Sequence, residues 1–422
     1  VAAVLLAKDR DMTMQVTSPS ITLPSEAAST ARNPLRILAV LATLMAFGSI
    51  STDLYLPAMP AMAIDLHSGP GALELTVSTY LVGFSLGQLF WGAVSDQIGR
   101  RIPVAIGIAL FMIGSAGCAL SSSVPEVIAW RLVQATGASA GVVLSRAMVR
   151  DLFAGDRAAQ MLSTLITIMA VAPLVGPLIG GQLLSIGSWH LIFWLLVGIG
   201  AITMAALFTV PETLASERRD ANAVRHALSR YVALLGDRRI LAAAGVGGFF
   251  YAGAFAYIAG SPDAYIRVHH VSPQLYGLLF GLAILAIMLM NMLNARLVPR
   301  IGMDRLIRSG AVIAAIAGLA SAVAGYTGFG GLAGLALPLI LFSGMNGLIV
   351  ANSIAGALDA FPERAGAASA LIGAFQYGGG ILGSALVSLL ADGTPGPLGL
   401  VMALTGAACL LCTWLLPRTA RT

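Results

Sequence analysis

One carboxylate, Asp53, lies well inside a long apolar run. An acid near the centre of a bilayer costs about 2.5–3.5 kcal/mol on insertion scales, so it is rarely there without a task. A carboxyl so placed can take up a proton and give it back in exchange for a solute. The plainer alternative is an acid near the membrane surface, accepting structural hydrogen bonds close to Tyr55 and Pro57. Arg131 sits within another apolar run, with Gln134 about one helical turn further on. It could stabilise ionised Asp53 or bond a polar solute; alternatively it could snorkel its guanidinium to the surface. A second group runs from Gly92 to Arg101 and includes Asp96, Gly99 and Arg100. Gly99 permits positive φ in a tight turn, Gly92 allows close helix approach, and Asp96 can pair with an arginine. Arg150 and Asp151 could join Asp96 and Arg100 in a charge latch that holds one side shut. For Arg146, an ordinary charge at a helix end is as good a reading. Tyr55, Gln134, Tyr251, Phe255, Gln376 and Tyr377 are candidates to line a solute cavity.

These residues need long apolar elements to carry them. Of 422 residues, 58% are hydrophobic and 10% charged, with a mean hydropathy of +0.88. A soluble domain carries about 25% charged residues, so the solvent here is lipid. Only helices and closed barrels satisfy the backbone in hydrocarbon, and the runs are too long and too uniformly apolar for barrel strands. The expected fold class is therefore all-α integral membrane. Twelve spans are expected: 35–58, 73–95, 102–122, 126–149, 158–184, 190–210, 240–260, 274–297, 306–327, 331–354, 366–390 and 397–417. They divide into a tail (1–34), a six-helix bundle (35–210), a polar linker (211–239), a second bundle (240–417) and a short tail (418–422). Of the 24 basic residues, Arg131 and Arg146 fall within a helix, and Arg267 alone falls in the other set of loops. That asymmetry predicts both termini and the basic loops in the cytoplasm. A turn Ile98-Gly99-Arg100-Arg101 after the second span is echoed by Ile301-Gly302-Met303-Asp304 after the eighth, which suggests duplicated halves.

The segment Gly92–Arg101 resembles the loop signature of the major facilitator superfamily. Arg131-Leu132-Val133-Gln134-Ala135-Thr136-Gly137 is similar to a signature of its drug:proton antiporters. So is Pro173-Leu174-Val175-Gly176-Pro177-Leu178-Ile179-Gly180-Gly181, in which Gly176 and Gly180 make a small-xxx-small face. Asp53-Leu54-Tyr55-Leu56-Pro57-Ala58-Met59-Pro60, Leu75–Tyr80, Arg150-Asp151 and Ser188-Trp189-His190 narrow the resemblance to the bicyclomycin/chloramphenicol-resistance (Bcr/CflA) branch. The second half departs from the pattern, with Pro299 where the first has Asp96. The resemblance implies a major-facilitator fold of two pseudo-symmetric six-helix bundles in a bacterial inner membrane. It also implies proton-coupled export of small drugs by alternating access, with Asp53 and Arg131 coupling. Export of a metabolite such as an amino acid or sugar is the alternative.

Other classes lack their chemistry. The only lysine is Lys8, so there is no phosphate-cradling Gly-Lys-Ser/Thr loop and no buried Schiff-base lysine. No HExxH or multi-His pattern offers a metal site. Cys118, Cys409 and Cys412 read as small packed residues, and His269/His270 as plain surface. No catalytic residue, cofactor or nucleic acid is expected; the partners are a small solute, protons and lipid, and the chain is expected to be monomeric.

Overall fold

The structure, a computed structural model, describes residues 34–69, 71–219, 237–360 and 365–415. Most of the expected tails and of the linker lies outside the described residues. Among those residues, twelve helices are long and apolar enough to cross a membrane. They are α1 (Arg36–Asp65), α2 (Glu74–Ile98), α3 (Arg101–Leu120), α4 (Val124–Leu152), α5 (Gly155–Ile186) and α6 (His190–Leu207), then α7 (Ile240–Val268), α8 (Pro273–Ile301), α9 (Met303–Thr327), α10 (Gly331–Gly356), α11 (Leu371–Leu389) and α12 (Gly396–Thr413).

Two spans run well past their expected ends and a third is broken within, each at a break in regular hydrogen bonding. The first does not stop at 58: its opening stretch ends on Asp53, a 3-10 turn covers Leu56–Ala58, and helix resumes at Met59. Pro57 and Pro60 lack the amides that a continuous helix would use there. The seventh runs past 260 through a π-helical turn, Asp263–Val268. The tenth is interrupted between Gly344 and Asn346.

Packing repeats from one half to the other. α1 packs on α4 and α5, and α7 on α10 and α11; α2 packs on α4, and α8 on α10; α3 packs on α6, and α9 on α12. The two halves join through α2 against α11 and α5 against α8, which are the same pair of elements exchanged between halves. Such symmetry is that of two parallel six-helix bundles. The turns carrying Gly99 (φ +100°) and Gly302 (φ +86°) also correspond, both in a backbone region that excludes most side chains.

The joints lie away from the end that carries the arginine-rich turns, here called the basic end. Ser78 and Ser384 share a hydrogen bond of 2.8 Å, and the Ser388 hydroxyl donates to the Gly71 carbonyl at 2.5 Å. On the other joint, Gln274 Nε2 donates to the Gly181 carbonyl at 3.1 Å, and Gly277 lies against Leu178. Toward the basic end the halves part. Among the described side chains, only Leu165 is buried between positions 155 and 175 of α5, and only Asn294 between positions 284 and 301 of α8.

Candidate functional site

Arg131 is the largest fully buried side chain. Its NH1 group donates to the Ser51 carbonyl at 2.8 Å and to Gln134 Oε1 at 2.7 Å. The Tyr55 and Tyr80 rings sandwich the guanidinium, each centroid 4.2 Å from its carbon. Cation–π contact of this kind stabilises by about 2 kcal/mol or more once water is excluded. The rings are themselves held, Tyr80 by Ser51 and Tyr55 by Thr76. Gln134 is held in turn by Ser115. Nε and NH2 of Arg131 nevertheless find no partner. A buried cation with two free donors has unspent capacity for an anion or a polar solute.

Asp53 is 5% exposed and ends the first helical stretch of α1. Among the described residues it makes no hydrogen bond or ion pair, and the Arg131 donors that are engaged go to Ser51 and Gln134 instead. No direct ion pair joins Asp53 to Arg131 in this conformation, in which two tyrosines sandwich the guanidinium. Tyr55 and Gln134 are likewise corrected as cavity residues. Both are fully buried props of Arg131 within the first half.

The segment Pro173–Gly181 brings α5 against this knot. A Cβ on Gly176 would come within 2.9 Å of that of Asp53, and one on Gly180 would run into the Leu54 carbonyl. Gly181 faces Pro273 and Gln274 of α8 instead, across the joint. Pro173 and Pro177 lie inside α5, where each removes a backbone donor.

Tyr251, Phe255, Gln376 and Tyr377 gather on α7 and α11. Tyr377 lies 6.4 Å from both Tyr251 and Phe255, and 5.4 Å from Phe84 of α2 across the halves. Gln376 abuts Gly247, one turn from Tyr251.

At the basic end, Arg100 donates from Nε to Asp151 at 2.9 Å and from NH1 to Asp96 and Ser95 at 2.6 Å each. Arg101 instead reaches the Phe208 carbonyl and ring, and Arg150 is exposed outside the group. The expected latch needs correction. Asp96, Arg100 and Asp151 all belong to the first half, and they are paired while the halves stand apart at this end. Gly92 is corrected too: a Cβ there would meet only Val143 at 3.7 Å, an ordinary contact. The close approach falls instead at Gly87, against Ser139, and at Gly83, against the Leu132 carbonyl.

Sequence reasoning missed several partners. Ser51 and Tyr80 build the Arg131 slot, and Glu212 clamps the basic turn by accepting from the amides of Arg100 at 2.8 Å and Arg101 at 3.1 Å. Burial works against ionising Glu212, but the amides of Arg100, Leu214, Arg101 and Thr213 outweigh it and hold the carboxyl below its usual range. Gln88 was also missed. The available signal was a polar side chain inside an apolar helix.

The family model of the Major Facilitator Superfamily matches residues 39–384. The chain is 36% identical over 379 residues to the MFS-type transporter YdgK of Bacillus subtilis, covering 89% of this chain and 94% of that protein. It is 30% identical over 376 residues to the bicyclomycin resistance protein homolog of Haemophilus influenzae, covering 89% and 92%. The fold is similar to that of the xylose transporter XylE from E. coli in a partially occluded inward open conformation. That match has a TM-score of 0.69 at 16% identity, over 90% of this chain and 96% of that one. The chain belongs to the major facilitator superfamily, as a multi-pass bacterial membrane protein that transports small molecules.

Proposed function

We propose that the protein exports a small molecule from the cytoplasm in exchange for protons, with Asp53 carrying the proton and Arg131 sensing its charge. The observation that carries this reading is a buried carboxyl, without a hydrogen bond or ion pair among the described residues and packed on the glycine face of α5, near a buried arginine with two free donors. Protonation changes what Asp53 offers to Arg131 and to α5, and the two halves respond by rocking about the joints. The basic end is assigned to the cytoplasm by its arginines. By descent we assign the chain to the twelve-helix drug:proton antiporters, and within them to the Bcr/CflA branch, on the motifs quoted above and the Haemophilus relative.

Cargo is a separate question, set by the side chains that line the cleft. Phenols and carboxamides of Tyr251, Tyr377, Gln88 and Gln376 suit a metabolite-sized solute that forms hydrogen bonds, and metabolite export is the reading favoured here. Drug export is the second reading, favoured by the name of the Haemophilus relative. A proton-motive force of about 150 mV supplies roughly 3.5 kcal/mol per proton, enough for a several-hundred-fold gradient at one-to-one exchange.

The test is accumulation in efflux-deficient bacteria expressing the wild type, with and without an uncoupler. Labelled amino acids and sugars form one panel; chloramphenicol, florfenicol and bicyclomycin form the other. Uncoupler-sensitive depletion of a metabolite supports the favoured reading, and depletion of an antibiotic alone replaces it with drug export. Depletion that ignores the uncoupler in both panels removes proton coupling.

A further inference from the structure

Four polar groups on α2, α4 and α11 lie near the level where the joined part of the two halves gives way to the open part. Gln88 of α2 sits beside the Tyr377 phenol, one turn toward the basic end from Phe84. Its Nε2 atom is buried without a partner, as is Ser85 Oγ. Gln376 of α11 is 6% exposed, and its Nε2 is also unpartnered. The fourth group is Arg146. Phe84 and Val142 of α4 both adjoin Gly48, and Arg146 follows Val142 by one turn just as Gln88 follows Phe84. α2 and α4 descend in the same direction, so Arg146 and Gln88 stand at one level, with Tyr377 near enough to feel the guanidinium charge.

Among the described residues no acid pairs with Arg146. Asp151, the nearest acid along α4, is bound to Arg100, as is Asp96 of α2. Among the described residues Arg146 itself makes no hydrogen bond, and it is exposed, with Tyr377 of the other half nearby. A guanidinium presents a planar fork of donors that matches a carboxylate. Either carboxamide can rotate to offer nitrogen or oxygen, so the charge preference comes from Arg146 and the added hydrogen bonds from the glutamines. The rings of Tyr251, Phe255 and Tyr377, tilted 43–70° to one another, supply an aromatic corner beside them.

We infer that the transported molecule is a small organic anion, its carboxylate held by Arg146 with Gln88 and Gln376, and its ring or apolar body laid against Tyr251, Phe255 and Tyr377. This rests on the reading of the chain as a small-molecule carrier and adds the substrate class to it. The energetics suit export. Moving an anion out as a proton comes in carries both charges down an inside-negative potential, so the voltage drives each step.

The test is binding of three ring-matched probes to the purified full-length protein in detergent, read by thermal shift over a concentration series. The probes are para-nitrobenzoate, para-nitrobenzamide and para-nitrobenzylamine, which differ in charge and little in shape. The wild type is expected to bind the benzoate on the order of tenfold more tightly than the amide, with the amine weakest. Arg146→Gln should bring benzoate and amide together, while Arg146→Lys, which keeps the charge, should retain part of the preference and shows that the site still folds. Equal or tighter binding of the amide or amine overturns the inference, and so does an unchanged preference in Arg146→Gln. Absence of benzoate binding to the wild type at saturating concentration overturns it as well. No gradient is present in this assay, so failure of proton-coupled transport would appear separately, in the accumulation measurement.

Discussion

Asp53 and Arg131 are each expensive to bury, and the surroundings reduce that cost differently. Arg131 is sandwiched by two tyrosines and bonded to Ser51 and Gln134, whereas Asp53 makes no hydrogen bond or ion pair among the described residues. On the proposed mechanism that difference leaves Asp53 as the group that exchanges the proton and Arg131 as the group that responds to it. At the basic turn, Glu212 gives a pH-dependent prediction. Its carboxyl is held below the usual range, so its contribution is complete above about pH 4.3, the ordinary value, and is lost as pH falls below it through the folded value. The melting temperature of Glu212→Gln should lie below wild type by a constant gap at pH 6–8, and the gap should close in more acidic buffer. A gap that widens on acidification would refute the clamp. Asp53, Arg131 and Asp96 were legible because a charge inside an apolar run is conspicuous. Tyr80, Ser51 and Gln88 were not, since hydroxyls and amides are common in membrane helices and only packing tells which of them meet.

At the scale of elements, α5 connects one of the two joints to the proposed proton site. Gly176 and Gly180 face α1, and Gly181 faces α8, so one helix touches the Asp53 break and the opposite half together. Gly180→Ala would drive a methyl into the Leu54 carbonyl and should cost about 1–3 kcal/mol, read as a lower melting temperature of the purified protein. Gly92→Ala, which meets only Val143, should stay within about 0.5 kcal/mol of wild type. Equal stability of the two variants would contradict this account of α5. The existence of all twelve helices could be read from run lengths alone. The continuations of α1 to Asp65 and α7 to Val268 could not, because each passes through a non-α turn that interrupts the apolar pattern.

At the scale of the molecule, the exchange symmetry of α2–α11 with α5–α8 leaves two joints at one end and an opening at the other. The proposed rocking of the two halves requires those joints to part. Ser78→Cys with Ser384→Cys replaces hydroxyls 2.8 Å apart and should form a disulfide across one joint on oxidation. Transport should fall more than about tenfold and return with reductant, because a pinned joint cannot open. Unchanged transport with the disulfide formed would mean that this joint does not move. The symmetry was only faintly legible in the repeated Ile-Gly turns, since the halves share packing positions more than residues. The central claim, that Asp53 couples proton movement to transport, is tested most directly in proteoliposomes by comparing Asp53→Asn with wild type. Two fluxes of one transported solute are measured: exchange at equal pH on both sides, and uphill movement driven by a pH gradient. The account predicts that Asp53→Asn keeps the exchange and loses the uphill movement. Uphill movement that survives the substitution at equal protein density would contradict it.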